Sequence, residues 1–237
     1  MNAARRLLTR IHRRYQTATQ EVTVAGLTFP FTRIADPDAV LDQVAAEEDR
    51  LEKVSGRRKE GDYLHLPYWA ELWDSAAGVV ELLPLFAVND DSRSTYVLDL
   101  GCGMGLAGTV AAKLGMRVLF ADLEPPALLF AKLNSLPEAQ RVEFRRVDWR
   151  KDRLGQKFDL ILGADILYER KQWDFLEPFW REHLKEDGTI LLGEPGRQTG
   201  DLFQAWIATK NYSVEVRQIP VSTRPQPIRI FVLQPQK

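Results

Sequence analysis

Five carboxylates stand at the ends of a series of short apolar runs: Asp99, Asp122, Asp148, Asp165 and Glu194. The first directly precedes a glycine-rich stretch, Asp99-Leu-Gly-Cys-Gly-Met-Gly105, with glycines at 101, 103 and 105. Glycines at such a turn let the backbone approach a ligand closely, and a helix starting there offers unpaired N–H groups to an anion. Read on to Gly108, the stretch also satisfies the dinucleotide pattern G-x-G-x-x-G, with Asp122 nineteen residues after Gly103. Asp99 argues for a different ligand. A carboxylate beside the loop repels a pyrophosphate and suits the ammonium of a methionine moiety. S-adenosyl-L-methionine is therefore the expected cofactor, with a nicotinamide dinucleotide and a purely structural turn as alternatives. Taken singly, each acid could cap a helix or close a turn. Together they form an acidic rim suited to a cationic cofactor and an amine substrate.

These acids share one edge only if the runs before them are parallel strands. Residues 96–100, 117–121, 142–147, 158–164 and 189–193 read as five strands, the last after a Lys-Glu-Asp-Gly turn. Helical patterns at 106–114, 125–136 and 171–184 separate them, the second opened by a proline at its first turn. That alternation predicts a parallel sheet covered on both faces, with ligands bound at the carboxyl ends of the strands. Residues 212–219 and 228–234 are strand-like too, but the Pro-rich connection between them is too short for a crossover helix. They form a close antiparallel pair. The expected fold is α/β: a Rossmann-like, seven-stranded, mostly parallel sheet with its last strand antiparallel and helices on both faces. Ahead of it, 22–32 reads as a hairpin around Gly26, 38–53 as a charged helix and 73–86 as a helix leading into the core. Residues 1–66 are thus an N-terminal helical and hairpin cap, and 67–237 the main domain.

Composition narrows the function classes. Hydrophobic residues make up 45% of 237, enough for a substantial core. The 32 basic and 33 acidic side chains nearly cancel, which gives no support for nucleic acid or an acidic membrane as partner. No apolar run approaches the ~20 residues that span a bilayer. A single cysteine, Cys102, excludes an internal disulfide framework and fits a reducing cytoplasm. With three scattered histidines (His12, His65 and His183), no metal site is expected. Arg5, Arg6, Arg10, Arg13 and Arg14 precede any acid and interleave with Leu7, Leu8, Ile11 and Tyr15 at helical spacing. Such a segment is either a transit-peptide-like sequence or a solvated helix that packs its apolar stripe on the domain.

Four stretches carry a resemblance: Pro67-Tyr-Trp-Ala-Glu-Leu-Trp73, Val97-Leu-Asp-Leu-Gly-Cys-Gly-Met-Gly105, Ala164-Asp-Ile-Leu-Tyr168 and Gly193-Glu-Pro-Gly-Arg197. Over residues 60–200 the chain resembles the seven-β-strand S-adenosylmethionine-dependent methyltransferases, and within them family 16, which includes protein lysine methyltransferases. Residues 67–237 would then be the methyltransferase domain. The resemblance implies that Trp73 lies against the cofactor, that Asp122 binds the ribose hydroxyls with Glu124 as a poorer substitute, and that Asp148 and Trp149 border the adenine. Ordinary core packing is the competing role for Trp149 and Trp73, although Trp69 is the better core candidate. Glu194 and Arg197 orient a loop or bind substrate. The Asn/Asp-Pro-Pro-Tyr motif of many enzymes acting on planar amides or adenine is absent after the fourth strand. Asp165-Ile-Leu-Tyr168 stands there instead, compatible with an aliphatic amine. The acceptor implied is a protein lysine, with a small molecule or a non-catalytic partner role as alternatives. Asp165 would align the amine and take its proton, while Tyr168 narrows its approach.

Overall fold

A computed structural model of the chain describes residues 3–55, 66–87 and 94–236. His65 and the end of the expected cap segment, 56–65, lie outside the described residues. The cap begins with α1 (Ala3–Ile11), β1 (Thr17–Val24), β2 (Leu27–Ile34) and α2 (Pro37–Ser55). A 3-10 turn at Tyr68–Ala70 leads to α3 (Asp74–Val80). The core then runs β3 (Tyr96–Leu100), α4 (Leu106–Lys113), β4 (Arg117–Asp122), α5 (Pro125–Asn134), β5 (Val142–Arg146), β6 (Phe158–Ala164), α6 (Arg170–His183) and β7 (Leu184–Glu194). It closes with α7 (Gln198–Ile207), β8 (Tyr212–Ile219) and β9 (Ile228–Pro235).

The main sheet has the order β5-β4-β3-β6-β7-β9-β8, with β9 antiparallel to both neighbours and the other pairings parallel. The seven strands and the reversed last one are as expected. Strand order reverses at β3, so its crossovers diverge there and leave a crevice at the carboxyl ends of β3 and β6. One face of the sheet packs against α3, α4, α5 and the cap, through residues such as Val79, Val110, Phe120 and Phe130. The other packs against α6 and α7, through Trp173, Trp180, Phe203 and Ile207. No helix among the described residues is long and apolar enough to cross a membrane.

Three elements differ from the sequence reading. The expected helix 73–86 stops at Val80, and Pro84 instead sits in a 3-10 turn, Leu83–Phe86. Strand β7 begins at Leu184: Phe158 pairs with Leu184 but Leu160 with Thr189, so the Lys-Glu-Asp-Gly turn is a bulge inside the strand. Helix α7 was not expected at all. Gly196 and Gly200 give that stretch the composition of a loop. The helix is fixed by tertiary burial of Phe203 and Ile207, one turn apart.

The arginine-rich segment is a helix that packs on the domain, with Leu7 and Ile11 buried and Arg5, Arg6 and Arg10 exposed. The hairpin turns at Ala25-Gly26, both with positive φ (48° and 72°), which matches the twist of the paired strands. Its second strand is clipped to the core by one buried amide. Asn134 at the end of α5 accepts from Thr32 N–H (2.8 Å) and donates to Thr32 C=O (2.9 Å) and Met104 C=O (3.0 Å).

Candidate functional site

The glycine loop follows β3 at the crevice, where φ values of 65°, 51° and 83° at Gly101, Gly103 and Gly105 set its path. A Cβ on Gly105 would lie 2.7 Å from Ala131 Cβ, so close loop–helix packing also demands glycine there. The loop's N–H groups are largely used within the protein. Gly101 and Cys102 donate to Ala121 C=O, Gly103 to Asp122, Gly105 to Cys102 C=O and Gly108 to Asp99 (2.8 Å). At the helix N-terminus expected to bind an anion, Asp99 thus already takes the Gly108 N–H.

That arrangement leaves two buried acids beside the loop. Asp99 is 1% exposed, and burial pushes its carboxyl up to about 7. Asp122 ends β4, 8% exposed, and accepts from Gly103 N–H (2.8 Å) and Glu124 N–H (2.9 Å); burial raises it to about 6. Among the described residues neither has a cationic side chain as partner. Glu124 borders a cleft of about 430 Å³ that Tyr15, Val40, Val44, Trp69 and Pro126 help to line.

The other three rim acids are neutralised, so the rim is not uniformly acidic as the sequence suggested. Both oxygens of Asp148 accept from Arg150 (2.9 and 2.8 Å), which holds its carboxyl down near 2. Asp148 could therefore reach an adenine amine only with lone pairs left over from Arg150. Asp165 is held by both terminal nitrogens of Arg197. Burial nevertheless raises its carboxyl above the ordinary range, against the pull of that guanidinium. Glu194 accepts from Gly196 N–H, Arg197 N–H and the Arg229 guanidinium. Arg229 also contacts Asp201 and Arg197 C=O, pinning the turn after β7. The sequence reading missed Arg229, because its partner is set by strand register: Glu194 faces Arg229 across β7 and β9.

The aromatic residues divide by environment. Trp69 is a core residue as expected, its ring centroid 5.3 Å from Tyr15 and 6.0 Å from Phe130. Trp73 caps α3 instead, its indole N–H donating to Tyr68 C=O and its face covered by Arg197 at 5.5 Å. Trp149 stands at the loop, its Cζ3 3.6 Å from where a Gly101 Cβ would be, with its N–H donated to Gln172. Tyr168 and Tyr68 have ring centroids 5.1 Å apart and are 40% and 43% exposed. Burial lifts the Tyr168 hydroxyl to about 12, so it stays protonated. Asp165 itself has φ 58°, a strained backbone for a non-glycine residue of the kind found at functional sites. The described histidines are in structural roles: His183 accepts from Leu154 N–H and bonds Phe179 C=O, and His12 bonds Thr17.

A family model described as lysine methyltransferase matches residues 68–203. The chain is similar to the protein N-lysine methyltransferase METTL21A of Danio rerio, 35% identical over 143 residues, 57% of this chain and 64% of that one. It is also similar to the electron transfer flavoprotein beta subunit lysine methyltransferase of Xenopus laevis, 32% identical over 137 residues, 55% and 53% of the two. These matches span between about half and just under two thirds of the relatives' own length. Among solved structures, the TehB-like SAM-dependent methyltransferase from Corynebacterium glutamicum aligns over 82% of this chain and 99% of its own, with TM-score 0.53 and 20% identity. The glycopeptide N-methyltransferase MtfA complexed with S-adenosyl-L-methionine aligns over 67% and 94%, with TM-score 0.53 and 16% identity. At these identities the structural likeness is one of fold.

Proposed function

The chain belongs to the lysine methyltransferase family, and from that premise we propose that it transfers a methyl group from S-adenosyl-L-methionine to the side-chain amine of a protein lysine. The observation that carries this reading is the charge balance at the glycine loop. Five of its N–H groups, those of Gly101, Cys102, Gly103, Gly105 and Gly108, are already bonded within the protein, while two buried carboxylates lack cationic partners among the described residues. Such a cradle suits a ligand bearing positive charge.

The donor set fits that cofactor. Asp99 and the loop would take the methionine end, Asp122 the ribose hydroxyls, and Trp149 the adenine face, with Asp148 at its edge. Trp73, between Tyr68 and Arg197, would close over the methionine end. When bound, the cofactor supplies the electrophilic methyl on its sulfonium. The chain's own work is to orient an amine and keep water out. A lysine amine, pKa about 10.4 when free, must shed a proton before it can attack. Asp165 would align it and take that proton directly or through water, while Tyr168 narrows the approach. Positioning of the two reactants would contribute most of the rate. The exposure of Tyr68 and Tyr168, about two-fifths each, supports an acceptor that arrives on a protein surface over an enclosed small molecule. The lone cysteine supports a reducing compartment such as the cytoplasm.

Incubation with radiolabelled S-adenosyl-L-methionine and cell lysate tests the proposal: label should enter protein at lysine. Label confined to small molecules would overturn the acceptor. Asp165→Ala should abolish transfer and leave adenosylhomocysteine binding intact; full activity in that variant would refute the role of Asp165.

A further inference from the structure

The acceptor side holds a cation of its own. Asp165 presents both carboxylate oxygens to Arg197, and its side chain is 3% exposed while that of Arg197 is 37% exposed. The guanidinium is the exposed half of this pair. It also lies over Trp73 at 5.5 Å, and Trp73, Tyr68 and Tyr168 form a row of contacting rings, the last two partly exposed. An acid under an aromatic wall is a pocket for a desolvated ammonium or guanidinium.

We propose that Arg197 is a cationic latch in the acceptor position, holding Asp165 against Trp73 until the ammonium of the incoming amine displaces it. This inference rests on the assignment of Asp165 to the acceptor side. The backbones on both sides of the contact are fixed. Asp165 N–H is tied to Gly193 C=O (2.8 Å), and Arg197 is tied through its N–H to Glu194 and through its C=O to Arg229. The arginine side chain, not the aspartate, is the part that can move. An entering alkylammonium recovers both interactions the guanidinium gives up, the charge pair with Asp165 and the contact with the Trp73 face. A neutral alcohol or amide recovers neither. Arg197 is thus a specificity-determining residue: it excludes neutral acceptors by occupying the pocket with the charge type that must replace it.

The test uses the full chain saturated with adenosylhomocysteine and Nα-acetyl-lysine methylamide as the ammonium probe, titrated by NMR at pH 8. Arg197→Ala and Arg197→Gln should each bind the probe roughly tenfold tighter than the unmodified protein, since the cation hydrogen-bonded to Asp165 is gone and only the weaker pull of Arg224 remains. Adding Asp165→Asn to either variant should erase the gain, and guanidinium chloride should compete with the probe in the variants. Unchanged or weaker probe binding in folded variants, as judged by circular dichroism, would overturn the latch. Should neither variant fold, the unmodified protein decides. The Arg197 side-chain resonance must shift as the probe saturates; a signal that stays put refutes displacement. Failure of the unmodified protein to bind adenosylhomocysteine is a separate outcome, which sinks the transferase reading instead.

Discussion

Cofactor binding should be coupled to proton release, with a size set by Asp99 and Asp122. In the free protein their carboxyls sit at about 7 and about 6, raised by burial. A ligand whose ammonium pairs with ionised Asp99 and whose ribose hydroxyls donate to ionised Asp122 must drive off whatever protons the two acids hold. Affinity therefore falls as pH drops through 7 and then through 6, and is flat above about 8. With full coupling, binding at pH 5.5 is roughly 100-fold weaker than at pH 8, or about 2.7 kcal/mol. At pH 6.5 the two groups together hold, and so release, about one proton. Calorimetry with adenosylhomocysteine, repeated in buffers of different ionisation enthalpy, reads both quantities. Asp99→Asn keeps an acceptor for Gly108 N–H and removes the higher of the two titrations. Only about a fourfold dependence over the same range should remain. An affinity constant from pH 5.5 to 8, or proton uptake on binding, would refute the charge argument on which the cofactor assignment stands.

Gly105→Ala combines a positive φ with a Cβ 2.7 Å from Ala131 Cβ, and should cost about 2–4 kcal/mol. That corresponds to a Tm lower by about 5–15 °C in a scanning calorimeter; a change within 1 °C would show that the loop relaxes. Arg229→Met strands the buried Glu194 carboxylate and should destabilise the chain by about 3–5 kcal/mol in urea. Adding Glu194→Gln should recover much of the loss, and an additive double variant would argue against a coupled pair. Ile11→Ala should cost about 2–5 kcal/mol in a single unfolding transition. A separate early transition for α1 would mean that the cap unfolds independently.

The alternation of apolar runs made the sheet legible, because strands buried on both faces have few other sequences available to them. The five acids were legible for a related reason: each lies at or just beyond the carboxyl end of a strand, and parallel strands share an edge. What periodicity could not convey was the partner each acid receives. Arg150 lies two residues from Asp148, and Arg197 lies thirty-two from Asp165, yet both close the same kind of pair. Neither sequence separation signals it. The Glu194–Arg229 pair depends on the register between β7 and β9, and α7 depends on burial of Phe203 and Ile207 against an already formed sheet. Trp69 and Trp73 could be told apart by type of neighbour. The first sits among Pro-Tyr and Ala, while the second starts a helix and faces the charged turn.

The clip made by Asn134 bears on how such a cap can change over time. It reads Thr32 through backbone N–H and C=O alone, so it is indifferent to the side chain at position 32. The rest of the strand's hold on the core comes from buried Phe29, Phe31 and Ile34. The same amide also grips Met104 in the loop. Asn134 lies inside the stretch matched by the family, while the hairpin lies before it. The exposed positions of the hairpin can thus change, and with them what the cap presents to solvent, while the amide and the three buried side chains keep it seated on the loop.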